Sequence, residues 1–320
     1  MPIPPLDPDV AERIARIGEI PPMRKRGLMA VREGLESMPL PDNLPQMADI
    51  EERAVPGPYG DIPLRIYRPR TDDKRPPVLV HLHGGGLVMG SNASFEPLAR
   101  NLAAATGATV VGVDYRLAPE SAPPVQFDES YAATAWVCDR AEELRVDAER
   151  LAVVGDSAGG ALAAGVALAA RDRGGPDIFC QVLLYPGLDR DMAAPSVLAM
   201  ADAPMLVVDD IHFMHTLADT RVGAPEDAYR LPAYAADLTG LPPAIVVTGE
   251  CDPIRDWGER YAQRLRDARV QTTHTRYPGV LHGFLMRGES ARAALAIAET
   301  GALLRAKFAH PLPFGPRADA

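Results

Sequence analysis

The chain has 320 residues, of which 47% are hydrophobic, and it carries a formal net charge of −10. This composition is typical of a globular protein with a large core, and the negative charge argues against nucleic acid or an anionic membrane as a partner. No segment approaches the ~20 apolar residues of a membrane span, and the N-terminus lacks the features of a signal peptide. The cysteines Cys138, Cys180 and Cys251 form no metal-binding pattern. We therefore expect a cytoplasmic protein with reduced thiols, no cofactor and no metal.

Strands and helices alternate along most of the chain from about residue 50 onward. The hydrophobic pattern predicts strands at 62–68, 77–83, 108–114, 151–154, 179–185, 244–248 and 271–277. It predicts helices at 94–106, 127–144, 161–170, 255–268 and 289–307. The first strand alternates apolar and polar residues, as a half-buried antiparallel strand does. Alternation of strands with helices predicts an α/β fold, with a mostly parallel central sheet and helices on both faces.

Two regions interrupt this alternation. Residues 1–50 contain two amphipathic segments, and residues 190–225 contain a short helix at about 209–218 that is flanked by methionines. We expect both regions to form one helical cap over the carboxyl edge of the sheet, where ligands bind in open α/β folds. The catalytic domain would then consist of 51–189 and 226–320. The alternative is that the extra helices are ordinary surface helices.

A serine lies between two glycines directly after the strand 151–154, in the run Gly155-Asp-Ser-Ala-Gly-Gly160. When a strand turns into a helix over one residue, the positions two before and two after that residue crowd each other. Glycine at both positions removes the side chains that would collide. A serine in such a strand–turn–helix is the nucleophile elbow of α/β-hydrolases. We therefore expect Ser157 to be a catalytic nucleophile at the carboxyl end of the sheet.

The strand 77–83 ends in a second motif, His83-Gly-Gly-Gly86. Attack of a serine on an ester carbonyl creates an oxyanion, and each backbone N–H that stabilises this oxyanion is worth ~3 kcal/mol. Only glycine lets the main chain approach a substrate so closely. The predicted oxyanion donors are the N–H groups of Gly84, Gly85 and Ala158, and the predicted supporting residues are His83, Gly86 and Asp156. A metal pair of His81 and His83 is the alternative, although the sequence places no further ligand nearby.

The serine needs a base, and in this fold the base follows the acid in the chain. Three of the seven histidines, His274, His282 and His310, lie far enough toward the C-terminus. We choose His282 because it lies in a loop after the last predicted strand, where an imidazole can reach the serine. By contrast, His274 lies within that strand and His310 lies in a proline-rich tail.

The acid that orients the histidine has three candidates after the strand 244–248, namely Glu250, Asp252 and Asp256. We favour Asp252 because it lies in the loop, from which its carboxylate can face the carboxyl edge of the sheet. Asp256 begins the next predicted helix, where a carboxylate also serves as a favourable helix N-terminal charge. The residues alone therefore leave Asp256 open as an alternative.

These motifs together resemble the bacterial esterases related to hormone-sensitive lipase. The resemblance spans about residues 50–310 and rests on five segments, His83-Gly-Gly-Gly86, Asp114-Tyr-Arg-Leu-Ala-Pro-Glu120, Gly155-Asp-Ser-Ala-Gly-Gly160, Asp252-Pro-Ile-Arg-Asp256 and His282-Gly-Phe284. It implies an α/β-hydrolase with a helical cap, Asp252 as the acid, and hydrolysis of short- to medium-chain acyl esters through an acyl-enzyme. Members of this family often dimerise through the last strand, here near 271–277, so a homodimer stays open.

The chain departs from the family pattern at three places. Leu87 follows the glycine run where the family usually carries an aromatic residue, Ser121-Ala-Pro-Pro124 replaces His-Pro-Phe-Pro, and Leu231-Pro-Ala-Tyr-Ala lacks the usual Ser-Pro. These differences leave the pocket shape and the acyl preference open. Two other functions also stay open: an amidase, lactonase or formamidase with the same triad, and a non-catalytic ligand receptor on the same fold. Such receptors typically lose the catalytic histidine, whereas His282 is present here.

Overall fold

The computed structural model describes residues 4–218 and 228–311. Parts of the predicted cap and of the predicted catalytic domain lie outside the described residues, at 1–3, 219–227 and 312–320. The strands are β1 Asp49–Val55, β2 Ile62–Arg68, β3 Pro77–Leu82, β4 Thr109–Val113, β5 Asp147–Asp156, β6 Cys180–Leu184, β7 Ala244–Cys251 and β8 Thr272–Leu281. The helices are α1 Pro8–Ile17, α2 Met23–Arg26, α3 Leu28–Glu36, α4 Glu96–Thr106, α5 Val125–Asp139, α6 Ala141–Leu144, α7 Ala158–Arg173, α8 Pro195–Ala199, α9 Val208–Ala218, α10 Arg255–Asp267 and α11 Ala291–Ala309.

The strands form one eight-stranded sheet in the order β1-β2-β4-β3-β5-β6-β7-β8. The pairs β1–β2 and β2–β4 are antiparallel, and every pair from β4–β3 to β7–β8 is parallel. All residues of β3, β4 and β6 are buried, because helices cover both faces of the parallel part. The predicted mostly parallel sheet with an antiparallel strand at 62–68 is therefore confirmed. No helix in the described part of the chain is long and apolar enough to span a bilayer.

The strand β1 and the helix expected over 127–144 differ from the sequence prediction, and the short helices α2 and α8 were not predicted. The strand β1 was not predicted, because its sequence Asp49-Ile-Glu-Glu-Arg-Ala-Val is highly charged. It lies at the edge of the sheet, where charged side chains reach water and discourage pairing with another chain. The helix expected over 127–144 is divided into α5 and α6, and Arg145 ends α6 in the left-handed region at a φ of 56°. Neither glycine nor proline marks this division in the sequence.

The N-terminal helices contact the segment that follows β6. Met23 and Val31 share one apolar cluster with Ile211 of α9 and with Trp257 of α10. The backbone N–H of Met23 also donates to Asp210 Oδ1 at 2.6 Å. The two regions that interrupt the strand–helix alternation therefore pack against each other, next to the helix that follows β7.

Candidate active site

The turn from β5 into α7 places Ser157 in a conformation that non-glycine residues rarely adopt, with φ 53° and ψ −119°. A Cβ on Gly155 would collide with the carbonyl oxygen of Gly159, and a Cβ on Gly159 would collide with the carbonyl oxygen of Leu82. Glycine is thus required at both positions by close backbone approach. Because the helix begins immediately after the serine, Ser157 Oγ is directed away from the backbone at the carboxyl end of the sheet.

The variant Gly159→Ala tests this packing. The added methyl forces α7 away from β3, so we expect a loss of stability of about 1–3 kcal/mol and a fall in any catalytic activity that depends on Ser157. The control is Gly34→Ala on α3, where a Cβ would meet nothing within 4 Å. This helical replacement is expected to be neutral or stabilising. Thermal melting and turnover of both variants measure the difference, and equal melting temperatures would contradict the close approach.

Three side chains from separate loops meet at this serine. His282 Nε2 lies 2.8 Å from Ser157 Oγ, and His282 Nδ1 lies 2.8 Å from Asp252 Oδ2. The other oxygen of Asp252 accepts the backbone N–H of Ile254 at 2.9 Å. Since a carboxylate only accepts, Nδ1 carries the proton, and the unprotonated Nε2 is free to accept from the serine hydroxyl. Asp252 is fully buried, and the side chain of His282 is 11% exposed.

An aromatic ring supports the histidine from the side. The ring of Tyr185, directly after β6, meets the imidazole of His282 edge-on with centroids 5.1 Å apart. Burial raises the pKa of Tyr185 well above its usual value, so the ring stays neutral beside the imidazole. Sequence reasoning missed this residue, because no pattern distinguishes it from the other apolar residues at the end of a buried strand.

The alternative acid and bases lie elsewhere. Asp256 Oδ2 accepts the backbone N–H of Ser196 at 2.8 Å, and the Asp256 N–H donates to Ser196 Oγ at 3.1 Å, so this carboxylate fixes α8. His274 Nε2 lies 3.0 Å from Thr248 Oγ1, and burial lowers the pKa of His274. His310 is at the C-terminal end of α11. The structure therefore brings Asp252 and His282 to Ser157 and keeps the other candidates away from it.

The glycine run requires one correction. The N–H of Gly84 donates to Asp156 Oδ1 at 3.0 Å, and Asp156 is only 2% exposed. This N–H is already engaged by a buried carboxylate, so the prediction that Gly84 donates to the oxyanion is wrong. The same oxygen, Oδ1, lies 3.2 Å from His81 Nε2, which donates to it. Sequence reasoning missed this role of His81, which it considered only as one half of a metal pair with His83.

His83 has a bracing role in the structure. Its ring stacks between Tyr115, with centroids 4.4 Å apart, and Phe95, with centroids 5.4 Å apart. The hydroxyl of Tyr115 donates to the carbonyl oxygen of His83 at 2.6 Å. Burial lowers the pKa of His83 to about 4, so the ring is neutral at ordinary pH. Within the described residues no group of three or more His, Cys, Asp or Glu side chains is arranged to hold a metal ion.

A pocket opens beside Ser157, between the glycine run and the segment after β6. Its apolar lining comes from both the sheet edge and the extra helices, at Leu87, Ala161, Leu206, Ile211, Met214, Ile254 and Trp257. Three basic side chains also line it, namely Arg190, His215 and Arg230. A mainly apolar pocket at a nucleophile suits the hydrocarbon part of a small substrate.

Comparisons with known proteins agree with this fold. A family model described as the alpha/beta hydrolase fold matches residues 79–286. The chain is 41% identical over 273 residues to carboxylesterase NlhH of Mycobacterium tuberculosis, which covers 81% of this chain and 82% of that protein. It is 37% identical to an ethyl acetate hydrolase of Pseudomonas putida, covering 71% of this chain and 72% of that protein. A hyperthermophilic esterase from Pyrobaculum calidifontis superposes with a TM-score of 0.86 at 34% identity, covering 95% of this chain and 99% of that chain.

The fold and the serine at the end of β5 define an α/β-hydrolase, and the chain belongs to that family. Within it, the chain belongs with the esterases related to hormone-sensitive lipase, as its motifs indicated. The prediction of a carboxylic ester hydrolase is therefore confirmed at the level of the family.

Proposed function

We propose that this protein is a serine carboxylesterase that hydrolyses short- to medium-chain acyl esters. The proposal rests on two hydrogen bonds, from His282 to Asp252 and between His282 and Ser157, each of which is 2.8 Å long. These three residues lie beside a mainly apolar pocket. The esterases among the relatives, including one named for ethyl acetate, support an ester with small groups on either side of the carbonyl.

The reaction follows from the hydrogen-bond directions. His282 Nε2 takes the proton of Ser157 Oγ as this oxygen attacks the ester carbonyl, and Asp252 stabilises the imidazolium that forms. The tetrahedral intermediate collapses when the Nε2 proton passes to the leaving alkoxide, which departs as the alcohol. A water molecule then gives its proton to Nε2 and attacks the acyl-enzyme. Collapse of this second intermediate returns the proton to Ser157 Oγ and releases the acid.

We assign the oxyanion donors to the N–H groups of Gly85, Gly86 and Ala158. Gly84 instead anchors the run through Asp156, which sets the direction of the glycines that follow. Gly85 and Gly86 have φ of 106° and 64°, so only glycine adopts their conformation without strain. Ala158 is the first residue of α7, and its N–H has no acceptor within the helix. Gly86 and Ala158 line the pocket beside Ser157, where the oxyanion of an acyl transfer would form, which supports this assignment.

We further propose that residues 1–50 and 190–225 form a cap over a catalytic domain of 51–189 and 226–320. The packing of Met23 against α9, and the pocket lining supplied by Leu206, Ile211 and Met214, support this division. Met214 lies directly against Gly86, where an added Cβ would touch its sulfur. Cap side chains would therefore set the size of the acyl group that reaches the serine.

We also propose a cytoplasmic location and a homodimer. The three cysteine thiols are free, which supports a reducing and hence cytoplasmic location. The strand β8 lies at the edge of the sheet, so it supports a homodimer formed by pairing of two such edges. Light scattering at working concentration measures the molar mass and distinguishes dimer from monomer.

A series of chromogenic esters tests the proposed substrate class. We expect kcat/KM to be highest for acyl chains of about two to six carbons and to fall at least tenfold by about twelve, because Met214 and Trp257 limit the pocket. Matched anilides and lactones are measured in parallel. Faster turnover of those compounds would replace the esterase assignment, and an absence of any turnover together with no labelling by a fluorophosphonate would indicate a binding protein.

A further inference from the structure

Arg32 of the N-terminal helix α3 reaches out of that helix to the loops beside the active site. Its Nε donates to the carbonyl oxygen of Val88 at 2.7 Å, and its Nη2 donates to the carbonyl oxygen of Ala118 at 2.9 Å. Nη1 and Nη2 also bind the two oxygens of Glu120, at 2.7 and 2.8 Å. The side chain is only 17% exposed. The guanidinium therefore joins a helix to two loops that lie far from it in sequence.

One of these loops is the turn that carries the glycine run. The N–H groups of Val88 and Met89 both donate to the carbonyl oxygen of Gly85, at 3.0 and 3.1 Å, which closes the turn. The carbonyl oxygen of Leu87 in turn accepts the N–H of Ala118 at 2.8 Å. Arg32 thus binds the carbonyls of Val88 and Ala118 on both sides of an existing contact between the two loops. Asp156 holds the beginning of the same run through Gly84.

We propose that Arg32 is a positioning residue for the oxyanion site. It fixes the end of the glycine turn, so that the N–H groups of Gly85 and Gly86 stay directed at the oxyanion. This inference rests on the proposed function, since it assumes that those N–H groups bind the oxyanion. A fixed end is needed because Gly85 and Gly86 themselves impose little backbone restraint. Preorganised donors stabilise the transition state, whereas donors that must reorient lose much of this effect.

The chemistry of the side chain fits this role. A planar guanidinium offers five donors in a fixed fork and so binds two carbonyls and a carboxylate at once, which an ammonium group cannot reproduce. The Arg32 guanidinium holds the pKa of Glu120 at about 2. Because the pKa of Glu120 is lowered in the folded protein, the ion pair of Arg32 and Glu120 is fully formed at any pH above the usual pKa range of a carboxyl group. The pair is lost only as the pH falls toward 2. The contact therefore persists throughout the pH range of an esterase assay.

The experiment compares Arg32→Met and Arg32→Lys with the control Arg16→Met. Arg16 also lies on an N-terminal helix and pairs with Glu12 at 3.3 Å, but its side chain is 74% exposed. We expect Arg32→Met to lower kcat on a short-chain ester about 10- to 100-fold, with KM changed less than about threefold. Arg32→Lys should fall between this variant and the wild type, and Arg16→Met should match the wild type.

Two further readouts separate positioning from a general loss of structure. Affinity for a phenylboronic acid, which forms a tetrahedral adduct on the serine, should fall in proportion to kcat/KM. Addition of millimolar guanidinium to Arg32→Met should restore part of kcat, since the ion can occupy the vacated position between the carbonyls. Melting temperatures are recorded for all variants.

The results for the Arg32 variants test the role of Arg32, and the results for the wild type test the esterase function itself. Wild-type kcat and boronate affinity in a folded Arg32→Met protein would overturn it, as would a loss confined to KM. If Arg32→Met does not fold, Arg32→Lys decides: a lowered kcat with a wild-type melting temperature supports the inference, and an unchanged kcat overturns it. If the wild type itself neither turns over esters nor reacts with a fluorophosphonate, the proposed function fails and this inference fails with it.

Discussion

Replacement of Ser157 by alanine is expected to lower kcat on a chromogenic acetate ester by about 10⁴-fold or more. The change removes Oγ, which is 2.8 Å from His282 Nε2, and with it the atom that forms the acyl-enzyme. Alanine keeps the Cβ and suffers no more strain than serine at a φ of 53°, so the elbow is retained. We expect the melting temperature to change little. Steady-state rates of purified protein, together with intact-protein mass after fluorophosphonate treatment, measure both effects.

The matched control is Ser290→Ala. Ser290 caps α11, where its Oγ accepts the N–H of Ala293 at 3.1 Å, and it lies in a different part of the fold. Loss of this cap is expected to cost about 1 kcal/mol of stability and to leave turnover and labelling unchanged. Ser157→Ala is therefore expected to lose turnover but keep its stability, whereas Ser290→Ala is expected to lose stability but keep its turnover. Covalent labelling of Ser157→Ala, or turnover close to that of the control, would remove Ser157 from the mechanism.

The fold and the meeting of three side chains were predictable because they follow from local rules. The glycines at 155 and 159 are dictated by a turn that the residues themselves reveal, and burial of the parallel strands follows from their apolar runs. The position of His282 followed from the order of residues in this fold and from the requirement for a loop. None of these steps needed a long-range contact to be known in advance.

The oxyanion site was only partly predictable, and the reason is geometric. Three consecutive glycines offer three N–H groups, and the sequence does not indicate which of them a carboxylate engages. In the structure Asp156, next to the nucleophile, takes the first of them from a distance of 72 positions along the chain. The donors proposed above therefore begin one residue later than the predicted ones.

Arg32 illustrates the same limit over a longer distance. Its partners lie 56 to 88 positions away, on segments whose own sequences show no need for a cation. The hydrophobic period of α3 indicated an amphipathic helix, but a pattern of apolar residues says nothing about where a charged side chain on its flank reaches. The sequence thus predicted an amphipathic segment in the N-terminal region, but not the contact of this segment with the glycine turn.

Asp252 and Asp256 are four residues apart, and the same substitution in each is expected to have different consequences. Asp252→Asn keeps the shape of the side chain, but its amide can donate to His282 Nδ1. This donation reverses the tautomer and places a proton on Nε2, which then cannot accept from Ser157. We expect kcat to fall about 10⁴-fold, with the fold retained because the remaining oxygen still accepts the N–H of Ile254.

Asp256→Asn is the matched control, because it removes the same charge at a site that lies against α8 instead of the histidine. Its carboxylate accepts from Ser196 and pairs with Arg255 at 2.9 Å, so we expect a loss of about 1–2 kcal/mol of stability. Its kcat should stay within about threefold of the wild type. Rates and urea unfolding of both variants give the ranking. A larger loss of kcat in Asp256→Asn would transfer the role of the acid to Asp256, because only the residue that sets the imidazole tautomer can affect proton transfer so strongly without unfolding the protein.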